Sequence, residues 1–198
     1  MPTLLLASTS RYRRELLARL ALPFDCRAPE VDETPHPAEP PEALAARLAA
    51  AKAERCAAPG VVVIGADQVP SLDGRALGKP GTHAAALEQL TACQGKTVIF
   101  YTAVTILDGV TGRRFSTVDR TEVEFTRLPA AALERYLRRE KPYDGAGGFT
   151  AEGLGIVLFE RIGSQDPTGL LGLPLIWVAR TLRQTGLDPL DPQAAPPP

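Results

Sequence analysis

The chain is poor in the residues that build metal clusters and covalent cross-links. Its 198 residues include three cysteines and two histidines. The cysteines lie far apart, no C-x-x-C pair occurs, and the histidines are isolated. This pattern argues against a zinc site and against a disulfide framework. We therefore expect Cys26, Cys56 and Cys93 to be reduced, small hydrophobic side chains.

Long apolar runs and an excess of one charge are also missing. No run approaches the roughly 18 apolar residues of a membrane-spanning helix, and the short run at 4–7 has no basic stretch before it, unlike a signal peptide. Lysine and arginine total 22 against 23 acidic residues, a formal net charge of −1. No global field attracts nucleic acid or an anionic membrane. We expect a cytoplasmic protein that binds neither, so any anionic ligand needs a local cluster.

Short apolar runs alternate with helical patterns along the chain, which is typical of an α/β fold with a mixed sheet. The predicted strands are 4–7, 24–28, 61–65, 98–107, 116–125 and 156–159. The predicted helices are 10–21, 42–57, 82–93, 129–139 and 170–184, with Ser10 and Thr82 as the N-caps of the first and the third. Residues 1–187 are predicted to form one domain. Residues 188–198, rich in proline and aspartate, are predicted to be a disordered tail.

Hydroxyl and cationic side chains follow the first predicted strand. Ser8-Thr9-Ser10 ends the strand, and arginines at 11, 13 and 14 fall in or near the first helical turn. Cations are disfavoured there because the helix dipole is already positive. A bound phosphate would receive backbone N–H groups, hydroxyls and guanidinium groups together. The residues alone leave two readings equal: a phosphate site that includes Ser8, Arg13 and Arg14, or a solvated basic helix start.

Asp67 is the strongest candidate for a catalytic carboxylate. It follows the β-branched run Val61–Gly65, which is predicted to be a strand buried on both faces. Ligands collect at the carboxyl ends of strands in open α/β sheets. A carboxylate there is well placed to hold a metal ion or to activate water. Position alone leaves open an aspartate that merely caps a turn.

Lys52, Lys79 and Glu33 are weaker candidates. Lys52 continues the apolar stripe of the helix at 42–57, so it either snorkels to solvent, the commoner case, or points into a cleft. Lys79 stands in a glycine-containing segment that fails the P-loop pattern, since position 73 is aspartate and position 80 is proline. Lys79 is therefore a candidate point charge. Glu33 lies in an acidic, proline-rich loop, where it either joins a metal site or, as we favour from the loop alone, is solvated.

The order of these segments is more specific than any one of them. In chain order they are Leu6-Ala7-Ser8-Thr9-Ser10-x-x-Arg13-Arg14, Val31-Asp32-Glu33-Thr34, Lys52, Gly65-Ala66-Asp67-Gln68-Val69 and Leu77-Gly78-Lys79-Pro80-Gly81-Thr82. Together they resemble the Maf family of nucleotide pyrophosphatases, over residues 3 to 187. The resemblance implies an elongated α/β fold like that of inosine triphosphate pyrophosphatases, with a mixed sheet, flanking helices and a cleft between two lobes.

The resemblance also implies an activity and a set of site residues. The activity is hydrolysis of a nucleoside triphosphate to the monophosphate and pyrophosphate, with Mg²⁺ or Mn²⁺, in a homodimer. Asp67 matches the catalytic acidic residue, described as the proton acceptor. The matching polar set comprises Ser8, Arg13, Glu33, Lys52 and Lys79. We expect Glu33 and Asp67 to be the metal ligands.

Three positions favour the branch of the family that hydrolyses 7-methyl-GTP. They are Tyr12, Gln68 and Glu152, where the dTTP and UTP branch carries arginine, threonine and glutamine. In the expected complex, Tyr12 stacks on the cationic methylated base and Glu152 accepts from its N–H groups. Arg11 and Pro70 depart from the family pattern. The alternatives are hydrolysis of dTTP, UTP or ITP, and a non-catalytic nucleotide-binding regulator of septum formation.

Overall fold

A computed structural model of the protein describes residues 2–151 and 153–191. Within these residues, seven strands form one mixed sheet in the order β2-β1-β3-β5-β6-β7, with β4 paired to the end of β3. The strands are β1 (Thr3–Ala7), β2 (Phe24–Cys26), β3 (Val61–Leu72), β4 (Arg75–Ala76), β5 (Thr97–Asp108), β6 (Arg114–Phe125) and β7 (Phe159–Gly163). Parallel pairing joins β1 to β2 and β3, and the other pairs are antiparallel. The predicted mixed α/β sheet is confirmed.

Helices flank the sheet, and local signals define their starts. They are α1 (Arg11–Ala18), α2 (Pro41–Arg55), α3 (His83–Cys93), α4 (Ala130–Glu140) and α5 (Leu175–Gln184). The Ser10 and Thr82 hydroxyls accept hydrogen bonds from the backbone N–H groups three residues on, so both predicted N-caps are confirmed. Proline precedes α2, α4 and α5, where its missing N–H costs no helical hydrogen bond.

The long strands β3, β5 and β6 run through two hydrophobic clusters and join two lobes. The first cluster packs β1, α1 and α5 against the early part of β3, around Leu6, Ile64 and Leu182. The second packs α3 and α4 against the other end of these strands, around Leu90 and Leu137. Since the same strands contribute to both clusters, the sheet fixes one lobe against the other.

Strand β3 is longer than predicted. It continues through Asp67 and Gln68 to Leu72, because β5 pairs with it from Val62 to Leu72. The prediction that Asp67 comes after the end of a strand is therefore wrong, since Asp67 lies in the middle of one. The polar residues in the middle of the segment concealed this extension.

Other boundaries also differ from the predictions. The predicted strand at 156–159 is wrong, because residues Leu154–Leu158 form a 3₁₀ helix and the strand is Phe159–Gly163. The predicted helix at 170–184 begins only at Leu175, after Pro174. Helix α1 ends at Ala18 rather than at 21, and β2 ends at Cys26 rather than at 28. Of the predicted tail, residues 192–198 lie outside the described residues.

The structure bears on the expectations for the cysteines and for membrane-spanning helices. Cys26, Cys56 and Cys93 are free, and the last two are buried. Burial raises the pKa of the Cys93 thiol to about 11. In the part of the chain that the structure describes, no helix is long and apolar enough to cross a membrane.

Candidate active site

A gap in the sheet lies along one edge of β3. On this edge β1 pairs with β3 as far as Gly65, and β4 pairs with it only from Ser71. Between these points residues 66–70 keep their partner β5 on the other edge. A cleft of about 910 Å³ lies at the gap, with Asp67 to Pro70 in its wall. Consecutive residues of one strand therefore reach a single cleft.

Pro70, a departure from the family pattern, fits the gap. Its carbonyl accepts a hydrogen bond from the backbone N–H of Leu77, on the edge where β4 lies. The N and C=O of one strand residue point to the same edge, so the missing N–H of Pro70 faces the gap side and costs no bond to β5.

Lys52 lies at the centre of the candidate site. Its Nζ is 2.6 Å from Asp67 Oδ1 and 2.6 Å from Glu33 Oε1. Lys52 is 6% exposed and Asp67 is 8% exposed. The expected snorkelling of Lys52 is therefore wrong. The Glu33 side chain is 53% exposed, as we favoured from the loop alone, and it also pairs with Lys52. One cation joins a helix, a strand and a loop.

Gly65 allows α2 to approach β3 this closely. A Cβ on Gly65 would lie 2.3 Å from the Ala49 carbonyl oxygen and 2.5 Å from the Ala53 nitrogen. Real Cβ atoms do not approach backbone atoms to these distances. Only glycine at this position lets the helix lie against the strand and place Lys52 beside Asp67.

The carboxylates differ in how strongly they hold a proton. Burial raises the pKa of Asp67, and the Lys52 ammonium opposes this rise. The hydrogen bond from Lys52 lowers the pKa of Glu33, and Lys79 and Arg13 add to the effect. A carboxylate with a raised pKa is a better base near neutral pH. Of the two, Asp67 is the better suited to accept a proton.

The start of α1 supplies hydroxyl and guanidinium groups to the cleft. Ser8, Ser10 and Arg13 line it, and Ser8 is buried. Arg13 donates through Nε to the Gly172 carbonyl at 3.0 Å and through Nη1 to Ser8 Oγ at 3.5 Å. Burial lowers the pKa of Arg13, while Asp67 and Glu33 raise it. These anchors aim the guanidinium group of Arg13 at the cleft.

Of the other residues predicted for the site, Lys79 and Tyr12 line the cleft and Arg14 does not. Lys79 is exposed and lines the cleft, and so does Tyr12, which is 37% exposed with the Arg11 guanidinium 5.5 Å from its ring centroid. Arg14 is exposed and is not among the residues that line the cleft. Glu152 lies outside the described residues.

Gln68 lines the cleft on the face of β3 opposite to Asp67. Its amide nitrogen lies 2.8 Å from Thr102 Oγ1, 3.1 Å from the Gly169 carbonyl oxygen and 3.0 Å from that of Leu170. The side chain is thus held by β5 and by the segment that precedes α5.

Sequence reasoning missed the residues that hold the Glu33 loop. Arg47 on α2 binds both oxygens of Glu39, at 2.7 Å and 2.8 Å, and donates to the Thr34 carbonyl at 3.1 Å. Glu39 also accepts from the His36 backbone N–H. Arg47 therefore fixes the residue next to Glu33. The sequence offered no signal for this beyond an arginine on a predicted helix.

The described residues contain no group of three or more histidine, cysteine or acidic side chains able to hold a metal ion. Glu33 and Asp67 nevertheless come together on Lys52, each through one carboxylate oxygen. Mg²⁺ is commonly bound by one or two carboxylates, with substrate phosphates and water completing its shell. The pair fits such an ion only with a phosphate ligand present.

Comparison with known proteins supports the residue pattern. The model of the Maf-like protein family matches residues 3–185. The chain belongs to the Maf family. It is 57% identical to the 7-methyl-GTP pyrophosphatase of Xanthomonas oryzae pv. oryzae over 188 residues, which are 94% of this chain and 98% of the relative. It is 54% identical to the enzyme of the same name from Burkholderia lata over 187 residues, 92% of this chain and 89% of the relative.

A solved structure, a HAM1 protein from Coxiella burnetii, is similar to this Maf chain with a TM-score of 0.45 and 17% sequence identity. The match covers 65% of this chain and 75% of that chain.

Gly65→Ala is expected to separate Lys52 from Asp67. The new methyl group must push α2 away from β3, which costs about 1–3 kcal/mol of stability, as overpacking does. We expect a lower melting temperature and, because the ion pair is distorted, at least a tenfold loss of pyrophosphate release. Gly163→Ala is the control, since its Cβ would have only ordinary contacts, the nearest at 3.5 Å. Wild-type turnover in Gly65→Ala would show that the close approach is unnecessary.

Arg47→Met is expected to release the Glu33 loop without unfolding α2. Glu33 then leaves Lys52, so kcat/KM for the nucleotide falls several-fold while the melting temperature changes little. Arg114→Met is the matched control, because Arg114 forms an exposed ion pair with Glu54 on the same helix. In a Glu33→Gln background Arg47→Met should have no further effect. Equal losses in both backgrounds would exclude action through Glu33.

Proposed function

We propose that this protein hydrolyses 7-methyl-GTP to 7-methyl-GMP and pyrophosphate. The observation that carries the proposal is a buried Asp67 beside Lys52 at the gap in β3, in a chain of the Maf family. Relatives that bear the name 7-methyl-GTP pyrophosphatase, at 54–57% identity, support the choice of base. Removal of a modified nucleotide from the cell is the role that such an activity would serve.

The proposed reaction is an in-line attack of water on the α-phosphorus. A bond forms between the water oxygen and the α-phosphorus, and the bond to the bridging oxygen of the β-phosphate breaks. Pyrophosphate leaves with the electron pair, and Asp67 takes the proton from water. Its burial, which raises its pKa, suits a proton acceptor. In wild-type enzyme and H₂¹⁸O, the label should enter the monophosphate.

Cationic groups around the cleft have a separate task in this reaction. Arg13, Lys52 and Lys79 would offset the negative charge as it moves onto pyrophosphate. Ser8 and the backbone at the start of α1 would bind a phosphate group. Arg14, which the sequence suggested for the same task, does not line the cleft and has no role in this proposal.

A divalent cation belongs to the proposal as a cofactor. Glu33 and Asp67 would hold Mg²⁺ or Mn²⁺ together with the substrate phosphates. The ion would supply further neutralisation of phosphate charge. Lys52 and the metal ion would then both contact the carboxylates of Glu33 and Asp67.

Base recognition is proposed for Tyr12, Gln68 and Glu152. N7-methylation gives guanine a positive charge, so stacking on Tyr12 adds a cation–π contact of about 0.5–2 kcal/mol. A carboxylate from Glu152 would offset the same charge. We further propose that residues 1–187 act as one unit, that the protein works in the cytoplasm without nucleic acid, and that it forms a homodimer.

The substrate is tested by a pyrophosphate-release screen. The panel comprises 7-methyl-GTP, GTP, dTTP, UTP and ITP, each with Mg²⁺ and with Mn²⁺. We expect the highest kcat/KM for 7-methyl-GTP. A higher value for dTTP, UTP or ITP would overturn the choice of base. Tight binding without pyrophosphate release from any of them would favour a non-catalytic regulator.

Asp67→Asn should lose some stability, because Lys52 keeps only Glu33 as an ion-pair partner. At a temperature where it is folded it should lose nearly all pyrophosphate release, because the amide cannot accept the proton from water. Asp108→Asn is a suitable control. Asp108 is also a buried aspartate, but it lies at the end of β5, bound to Thr111, and not in the cleft. This control is expected to lose some stability and to keep its turnover at a temperature where it is folded. Retained turnover in Asp67→Asn would remove Asp67 from the mechanism.

A further inference from the structure

Thr102 lies directly opposite Gln68 in the pairing of β5 with β3. Its side chain is fully buried. Thr102 Oγ1 is 2.9 Å from the Gly169 carbonyl oxygen and 2.8 Å from Gln68 Nε2. A buried hydroxyl with two partners, one of them in the wall of the cleft, connects the core of the sheet to the site.

The donors and acceptors in this group can be assigned without ambiguity. The Gly169 carbonyl can only accept, so Thr102 Oγ1 donates its single hydrogen to it. The same oxygen then accepts from Gln68 Nε2. The carbonyls of Gly169 and Leu170, at 3.1 Å and 3.0 Å from the same nitrogen, also accept from the amide. Both amide hydrogens are therefore used inside the protein.

The opposite orientation of the amide is unfavourable. It would place the Gln68 carbonyl oxygen against the carbonyl oxygens of Gly169 and Leu170, which have no hydrogen to offer. Thr102 could satisfy such an oxygen only by leaving Gly169. The network thus leaves Gln68 Oε1, a pure acceptor, as the amide atom for a ligand.

The segment that supplies these carbonyls is itself held in place. Arg13 donates to the Gly172 carbonyl, and Asp166 accepts from the backbone and hydroxyl of Thr168. The segment that binds Gln68 is therefore held by hydrogen bonds of its own. The anchors on either side of Gly169 and Leu170 give the amide a fixed frame.

We propose that Thr102 is a positioning residue that fixes the polarity of Gln68. With the Gly169 and Leu170 carbonyls, it makes Gln68 present only a hydrogen-bond acceptor, so the nucleotide group that faces it is an N–H or O–H donor. Guanine and its 7-methyl derivative offer the same donors, N1–H and the exocyclic amine, whereas hypoxanthine, uracil and thymine each offer a single N–H. An acceptor at Gln68 therefore distinguishes the guanine-type bases from the other bases of the panel. This inference rests on the proposed nucleotide site and adds the residue that sets its selectivity.

The test compares base selectivity among variants at two threonines of β5. Thr102→Val should lower kcat/KM for the preferred nucleotide about fivefold, the size of one lost hydrogen bond, and should lower it less for the poorest nucleotide. Thr102→Ser keeps the hydroxyl and should retain selectivity. Thr105→Val is the control, because Thr105 is buried and bound to Ser116 but lies outside the cleft.

A second pair of variants tests whether Thr102 acts through Gln68. In a Gln68→Met background, Thr102→Val should cause no further change in selectivity. Gln68→Glu keeps an acceptor but loses the amide donors that hold the side chain on Thr102, Gly169 and Leu170. The acceptor then loses its fixed position, so selectivity should fall even if Thr102→Val fails to fold. Equal losses on all nucleotides for Thr102→Val, a full effect in the Gln68→Met background, or wild-type selectivity in Gln68→Glu would each overturn the proposal.

The same variants separate this inference from the proposed function. If the wild-type protein releases pyrophosphate best from another nucleotide of the panel, 7-methyl-GTP is excluded as the main substrate. The selectivity of the variants is then compared with that nucleotide as the reference. If it releases none, dissociation constants for the panel replace kcat/KM. In either case the pattern among the Thr102 and Gln68 variants decides the role of Thr102.

Discussion

The structure of the site depends on one buried ammonium group, that of Lys52, between the carboxylates of Asp67 and Glu33. Removing charges from water is costly, and a buried pair persists only when its geometry is good and its partners are complete. Gly65 provides the geometry, because it lets α2 approach β3. Arg47 completes the partners by holding the loop that carries Glu33. The fold therefore places a helix, a strand and a loop around one charge. Separating these three elements would leave the Lys52 ammonium group either exposed to water or buried without a partner.

The gap between β1 and β4 turns this ion pair into a site. A strand paired on both edges offers a ligand only its side chains, whereas β3 between Gly65 and Ser71 has one open edge. Since successive side chains of a strand face opposite sides of the sheet, Asp67 reaches the side of α2 and Gln68 the side of Thr102. Both still lie in the wall of one cleft. The proposed chemistry at the phosphate and the proposed recognition of the base thus use adjacent residues that are held by different neighbours.

Local signals in the sequence predicted much of the fold, and the side-chain directions in the site were harder to predict. The caps at Ser10 and Thr82 depend on hydrogen bonds within three residues, so a short motif was sufficient. The extension of β3 past Gly65 depends on pairing with β5, whose partner residues lie 26 to 38 positions further along the chain, and the polar residues in the segment concealed it. Lys52 points inward because of an approach between helix and strand that only Gly65 permits. The ordered family motifs pointed to Glu33, Lys52 and Gln68 as site residues. No pattern in the sequence showed that Arg47 holds the loop of Glu33 or that Thr102 binds Gln68.

The most direct test of this account is a crystal structure with the α,β-methylene analogue of 7-methyl-GTP, which cannot be cleaved at the bond in question. The account predicts the triphosphate in the gap between β1 and β4, with its α-phosphorus beside Asp67 and its γ-phosphate end among the cationic groups of the cleft. It predicts the base along Gln68 and Tyr12, with a donor group facing Gln68 Oε1. A nucleotide bound in the second cavity, which is lined by Asp166 and Trp177, or a triphosphate remote from Asp67, would contradict it.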